Sequence, residues 1–119
     1  MREAAVVAIA IVALLHVYFM VMEMFLWTKP AGLKAFGLTA EQAASSKVLA
    51  ANQGLYNGFL AAGLVFGHFL GHDGGFHVTI FFLSCIIVAG IYGGITANRK
   101  IFFVQALPAF VALVLLHLR

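Results

Sequence analysis

The amino-acid sequence predicts an all-α integral membrane protein, a four-helix bundle of transmembrane helices joined by short connections. The chain is 64% hydrophobic and 9% charged, whereas a typical soluble domain is about 25% charged. Its mean hydropathy is +1.07, and a soluble domain of this length has too much exposed surface to hide so many apolar residues. The apolar residues also form runs of the length that a helix needs to cross a bilayer.

These runs predict transmembrane spans at about 4–27, 48–70, 76–96 and 101–118. Tight turns at 72–75 and 98–100 join the last three spans, so we expect those helices to be antiparallel neighbours. The whole chain, 1–119, is therefore expected to form a single transmembrane domain.

The first connection is longer and is expected to contain structure of its own at about 33–47. Pro30 and Gly32 are expected to end the first helix. An interfacial segment then follows. Thr39 and Gln42 match a capping box, which predicts a helix that begins near Ala40, protrudes from the bilayer and continues into the second span.

The positive charge predicts an orientation. Five basic residues belong to the first and third connections, namely Lys29, Lys34, Lys47, Arg99 and Lys100. The other two basic residues, Arg2 and Arg119, belong to the opposite side. Because Lys-rich and Arg-rich loops stay in the cytoplasm, both termini are expected outside. The basic residues form no continuous face, so the sequence does not favour nucleic acid as a partner.

Small residues recur at helical spacing in the second and third spans. The rows are Ala50, Gly54, Gly58 and Ala62; Gly63, Gly67 and Gly71; Ala89, Gly93 and Ala97; and Gly90 and Gly94. Such rows let helix backbones approach closely in lipid. We expect at least one row to pack within the chain and another to support a homo-oligomer.

Polar residues of all four spans are predicted at a similar depth, near the cytoplasmic leaflet. Intramembrane polar groups are costly and by default indicate function. The predicted ligand-binding residues are Glu23, Asn52, Gln53, Tyr56, Asn57, Tyr92 and Gln105. Glu23 and His16 lie on one stripe of the first helix, and both are candidate catalytic residues that would exchange a proton with a substrate.

Each of these residues also has a structural interpretation. Glu23 would then reach water or pair with Lys29 or Arg99, and His16 would bond to a neighbouring carbonyl in the core. The amides and phenol of the second span would be contacts between helices. Pro108 is expected to kink the fourth helix and to free a carbonyl near Val104.

A second polar group is predicted at the outer end, where His68, His72, Asp73 and His77 are low-specificity candidates for metal ligands. Two histidines four residues apart share a helix face and suit metal binding. Solvated interfacial histidines explain the pattern equally simply. No sequence motif identifies a cofactor, a phosphate loop or a nucleophile elbow.

The segments His16–Phe19, Glu23–Thr28, Phe36–Thr39 and Asn52–Phe59 resemble the bacterial domain-of-unknown-function family 1304. The last segment, NQGLYNGF, is the most specific of them. The resemblance covers essentially the whole chain. It implies a small four-span protein of the bacterial inner membrane, and it implies no activity.

Three classes of function fit these observations. The first is the binding, and in an enzymatic version the conversion, of a lipophilic small molecule in a polar pocket near the cytoplasmic leaflet. The alternative is a non-catalytic assembly or partner subunit of a membrane complex. A small proton-coupled transporter ranks third, because Glu23 lies near an edge of its span rather than at the centre.

Overall fold

The computed structural model describes residues 2–119, which fold into helices and turns with no strand in that range. The helices are α1 (Arg2–Met24), α2 (Pro30–Phe36), α3 (Ala40–Phe69), α4 (Asp73–Thr96) and α5 (Arg99–Leu118). The all-α prediction is confirmed. Helices α1, α4 and α5 are long and apolar enough to cross a membrane. Helix α3 is longer but more polar, and it is not one of these three.

The chain divides into two compact units. The terminal unit consists of Met1–Leu14, described from Arg2 onward, together with Ala62–Arg119. The central unit is Leu15–Ala61. Fully buried side chains of the terminal unit include Val12, Leu64, Leu83 and Ile86, and those of the central unit include His16 and Ala43.

The first connection differs from the prediction at its start. Helix α1 ends at Met24, before Trp27, and Pro30 begins α2 instead of ending α1. Proline suits the first position of a helix because its missing N–H needs no partner there and its fixed φ is already helical. Gly32 packs directly on the Leu26 carbonyl, where a Cβ would collide with it. The turn after α1 and the start of α2 are therefore in close contact.

The capping box is confirmed. The Thr39 backbone N–H donates to the Gln42 side chain at 2.9 Å, and the Gln42 N–H donates to the Thr39 hydroxyl at 3.1 Å. Gly37 ends α2 in the left-handed region, with φ of 63°. The Leu38 N–H donates back to the Leu33 carbonyl, so the last turn of α2 is closed before the capping box begins.

Glycines bring α3 against α1 within the central unit. A Cβ on Gly54 would lie 2.7 Å from Cγ of Met24, and one on Gly58 would lie 2.7 Å from Sδ of Met20. The same Cβ on Gly54 would lie 3.1 Å from the Met20 carbonyl oxygen, so the α1 backbone is close to α3 there, whereas Gly58 contacts only the flexible Met20 side chain. The predicted internal packing of this small-residue row is confirmed.

The other rows pack inside the terminal unit. Gly63 lies on the Phe82 ring and Gly67 on Thr79, so this row joins α3 to α4. Gly90 meets the backbone of Ala106, so the row of Gly90 and Gly94 joins α4 to α5. At that point α5 contains a π-helical turn over Phe102–Ala106, in which the Leu107 N–H donates to the Phe102 carbonyl five residues back. Pro108 supplies the cause, since its ring clashes with a carbonyl one turn earlier and it has no N–H to donate.

Candidate functional site

A hydrogen bond joins two of the predicted site residues across the central unit. The Asn57 amide donates from Nδ2 to Oε1 of Glu23 at 2.6 Å. Asn57 is buried, with 8% of its surface exposed, and Glu23 is half-buried. A bond from an amide to a carboxylate is stronger than one between neutral groups. It fixes the direction of the Glu23 side chain between α1 and α3.

The Glu23 carboxylate borders a cleft of about 390 Å³, which we call the Glu23 cleft. It lies between the end of α1, the following turn and α3. Polar and apolar groups line it in similar measure: Glu23, Met24, Phe25, Trp27, Thr28, Lys47, Val48, Ala51 and Asn52. Its volume is within the usual range of small-molecule sites, about 300–1,000 Å³.

Trp27 holds one wall of the Glu23 cleft in place. Its indole N–H donates to the Ser46 hydroxyl at 3.1 Å, and Ser46 in turn donates to the Gln42 carbonyl at 2.7 Å. Its ring also packs against Phe36, with centroids 4.8 Å apart. The Trp27 side chain is therefore held in a fixed position, although it lies in the turn between α1 and α2.

The four polar residues of α3 lie on one side of the helix by their spacing, but they differ in exposure. Asn57 is buried beside Gly54 and Gly58, whereas Asn52, Gln53 and Tyr56 are exposed. The reason is that α1 packs on the face of α3 that carries Gly54 and Gly58. Asn57 borders this face, because it lies three residues after Gly54 and one residue before Gly58. Of the exposed residues, Asn52 lines the Glu23 cleft.

Tyr92 and Gln105 belong to the terminal unit. Tyr92 is 68% exposed, and Gln105 is half-buried within the π-helical turn of α5. Glu23 and Asn57 are thus predicted residues whose side chains bond to each other, and Asn52 lines the Glu23 cleft together with Glu23.

His16, the second candidate for proton exchange, is fully buried in the central unit. Its ring lies edge-on to Phe19, with centroids 5.5 Å apart. It is not one of the residues that line the Glu23 cleft. This position suits a packed core histidine.

The four metal candidates do not form a cluster. Helix α3 ends at Phe69, and Gly71 turns the chain with φ of 91°, so His68 and His72 do not share a helix face. Asp73 is the first residue of α4, and His77 is exposed and contacts the Phe76 ring. Throughout residues 2–119, no three His, Cys, Asp or Glu side chains come together as a metal site would require.

Sequence reasoning missed two polar residues of the Glu23 cleft, Thr28 and Lys47. Lys47 was interpreted only as a signal of orientation. A helix that starts at the capping box and runs without a break puts residue 47 two turns inside it. This continuity of α3 is the sequence signal that would have placed Lys47 on a helix packed near the end of α1, and not in a loop.

Comparison with known proteins gives a family without an activity. The family described as "Protein of unknown function (DUF1304)" matches residues 10–117. A relative, the uncharacterised protein YpaA of Lactococcus lactis subsp. lactis (strain IL1403), is 32% identical over 106 residues, which cover 87% of this chain and 88% of that protein. No solved structure matches the chain at a significant level.

Proposed function

Because the chain belongs to the DUF1304 family of proteins of unknown function, we propose its function from the geometry of the Glu23 cleft. The protein binds a lipophilic small molecule whose polar head enters this cleft and meets Glu23. The single observation that carries the proposal is the oriented carboxylate, held by Asn57 at 2.6 Å beside a cleft of about 390 Å³.

The lining supports a head group with hydrogen-bond donors or positive charge. Glu23 accepts hydrogen bonds through two oxygens, one of which is bonded to Asn57. Asn52 and Thr28 offer further hydrogen bonds at the rim, and Trp27 and Val48 offer apolar contact to the rest of the molecule. Binding is proposed here without a reaction, because buried His16 does not line this cleft.

We extend the proposal to a four-span protein of the bacterial inner membrane, with α3 as the additional span. By its 30 residues α3 is about 45 Å long, enough to cross the hydrocarbon and protrude. Large apolar side chains on it are exposed over most of that length: Val48, Leu49, Leu55, Phe59, Val65, Phe66 and Phe69. The proposed orientation places both termini outside, with Lys47 and the Glu23 cleft toward the cytoplasm.

A homo-oligomer belongs to the same proposal. Gln53 and Tyr56 are exposed on α3, and Tyr56 is 62% exposed. An amide and a phenol that face lipid lack hydrogen-bond partners, which is unfavourable in hydrocarbon. A second copy of the chain on this face would supply them. Light scattering in a neutral detergent should therefore give at least twice the mass of one chain; the mass of a single chain would contradict this part.

Replacing Glu23 by Gln tests the binding site. Glutamine keeps an oxygen that accepts from Asn57, so the fold is retained while the negative charge is lost. Hydrogen bonds to charged groups contribute about 1.5–3 kcal/mol. The amount of small molecule that co-purifies from bacterial membranes, measured by mass spectrometry per mole of protein, should fall by roughly tenfold or more.

The matched control is Glu41→Gln, which removes the same charge from an exposed position in the first turn of α3. This variant should retain the co-purifying molecule. Equal retention by both variants would refute the site, as would wild-type protein that carries no small molecule. A smaller oligomer with the bound molecule unchanged would instead favour the assembly subunit.

A further inference from the structure

A second cleft, of about 300 Å³, lies in the terminal unit. We call it the Arg2 cleft. Helices α1, α3, α4 and α5 all contribute to it, together with the turn after α3. Its basic residues are Arg2, His68, His72 and Arg119. The other residues are mostly apolar: Ala5, Val6, Ile9, Ala10, Ala13, Leu64, Val65, Gly67, Phe69, Gly71, Gly75, Phe76, Thr79 and Leu116.

Arg2 and Arg119 supply the positive charge of the Arg2 cleft. Within residues 2–119, neither guanidinium forms an ion pair with a carboxylate. Arg119 lies over the Phe76 ring, with Cζ 5.3 Å from its centroid, and the His117 ring lies edge-on to Phe76 with centroids 5.5 Å apart. A guanidinium stacked on an aromatic ring keeps its N–H groups free to bind a carboxylate or a phosphate.

The apolar part of the cleft follows one face of α1. Arg2, Ala5, Val6, Ile9, Ala10 and Ala13 line it at spacings of three and four residues. Arg2 and Ala13 are about 16 Å apart along the helix by its rise. Opposite this face, Leu64 and Leu116 are buried, with 1% and 3% of their surfaces exposed. The cleft thus combines an apolar face of α1 with two arginines, Arg2 and Arg119.

We propose that the Arg2 cleft binds an anionic amphiphile with a single alkyl chain. Its carboxylate or phosphate head lies at Arg2 and Arg119, and its chain lies along α1 toward Ala13. A membrane helix that ends in arginine meets the lipid head groups at this level, so anionic lipid is available to the cleft. This site is independent of the Glu23 cleft, and no lining residue is common to the two.

Dodecyl phosphate is a suitable probe for the intact chain in a neutral detergent. Its binding is titrated and counted by native mass spectrometry. The variant Arg2→Gln/Arg119→Gln should raise the Kd for dodecyl phosphate by at least tenfold, while Arg2→Lys/Arg119→Lys should retain part of the affinity. The control, Arg99→Gln/Lys100→Gln, removes two positive charges from exposed residues outside the cleft and should bind as the wild type does.

A separate variant tests the binding of the alkyl chain. Ala10 is exposed and lines the Arg2 cleft, so Ala10→Leu reduces the space in the cleft and should weaken dodecyl phosphate binding. Ala89→Leu, the same change at an exposed position of α4 outside the cleft, should not. If the Gln double variant binds as well as its control, the proposal is wrong.

Two further probes separate the head from the tail. Inorganic phosphate that displaces dodecyl phosphate at equal concentration would mean a site for a free anion, which overturns the amphiphile. Dodecylphosphocholine, which is zwitterionic, should bind more weakly than dodecyl phosphate. Equal binding would mean that the alkyl chain alone is recognised and would overturn the role of the arginines.

Discussion

Asn57 and Glu23 form a pair in which each residue determines the position of the other. Asn57 is buried, and its amide reaches the carboxylate of Glu23 where α1 packs closely on Gly54. A larger residue at Gly54 would meet the Met20 carbonyl and the Cβ of Glu23, and would push the two helices apart. The geometry of the Glu23 cleft therefore depends on side chains that do not line it.

Asn57→Leu should destabilise the protein. Leucine is similar in size but has no donor, so the half-buried carboxylate loses its bond. Because hydrogen bonds to charged groups contribute about 1.5–3 kcal/mol, we expect the free energy of unfolding to fall by about that amount. Equilibrium unfolding in mixed micelles measures it.

The control for this change is Asn52→Leu, which removes an exposed amide from the same helix. Surface substitutions of this kind usually change stability by less than about 0.5 kcal/mol. Equal stability of the two variants would show that the bond between Asn57 and Glu23 contributes nothing. In a Glu23→Gln background, Asn57→Leu should cost less than it does alone, since the charged partner is already gone.

At the scale of elements, glycines determine which helices touch. Gly75, in the first turn of α4, packs on the Gly67 carbonyl of α3, and Gly90 packs on Ala106 of α5. These contacts involve backbone atoms, which cannot move aside as a flexible side chain can. Small residues at four-residue spacing predict close packing, but the pattern does not name the partner helix.

Gly75→Ala tests this packing, with Gly74→Ala as the control. The added Cβ would collide with the Gly67 carbonyl, and overpacking of this kind costs typically about 1–3 kcal/mol. At Gly74 a Cβ meets nothing within 4 Å, so Gly74→Ala should be neutral or gain up to about 1 kcal/mol from helix propensity.

Thermal unfolding in detergent compares the two alanine variants directly. We expect the Tm of Gly75→Ala to lie below that of the wild type and the Tm of Gly74→Ala to lie at or above it. Equal values for the two variants would mean that α3 and α4 do not approach each other as closely as described.

Local signals predicted the start of α3 better than the end of α1. Thr39 and Gln42 predicted the beginning of α3, because a capping box acts through bonds between residues three positions apart. The end of α1 was predicted three residues late, since Phe25, Leu26 and Trp27 are as apolar as the helix before them. Pro108 predicted a distortion of the fourth helix near Val104, but not that it would take the form of a π-helical turn over Phe102–Ala106.

At the scale of the whole molecule, composition and span length were sufficient to predict an all-α protein with membrane-spanning helices. The candidate site was predicted less completely. Glu23 and Asn57 were identified by the cost of polar groups in lipid, but the sequence did not indicate that Asn57 is buried while Gln53 and Tyr56 are exposed. That difference depends on the packing of α1 on Gly54 and Gly58, a contact between distant parts of the chain.

Reporters fused to the two termini test the proposed topology. If α3 crosses the membrane with α1, α4 and α5, the number of spans is even and both termini lie on one side. We expect alkaline phosphatase to be active at either terminus, and inactive when fused after Asn98 in the third connection. Activity at one terminus alone would mean three spans, and cytoplasmic termini would reverse the orientation.

The contacts of the central unit are nested, and this has a consequence for how the unit assembles. Trp27 first meets Phe36 within the connection, then Ser46 at a separation of 19 residues, and Glu23 then meets Asn57 at a separation of 34. The entropy of closing a loop grows only with the logarithm of its length. Each contact formed in this order leaves a short remaining loop for the next, so α1 and α3 can zip together outward from their connection without a search across the full length of the chain.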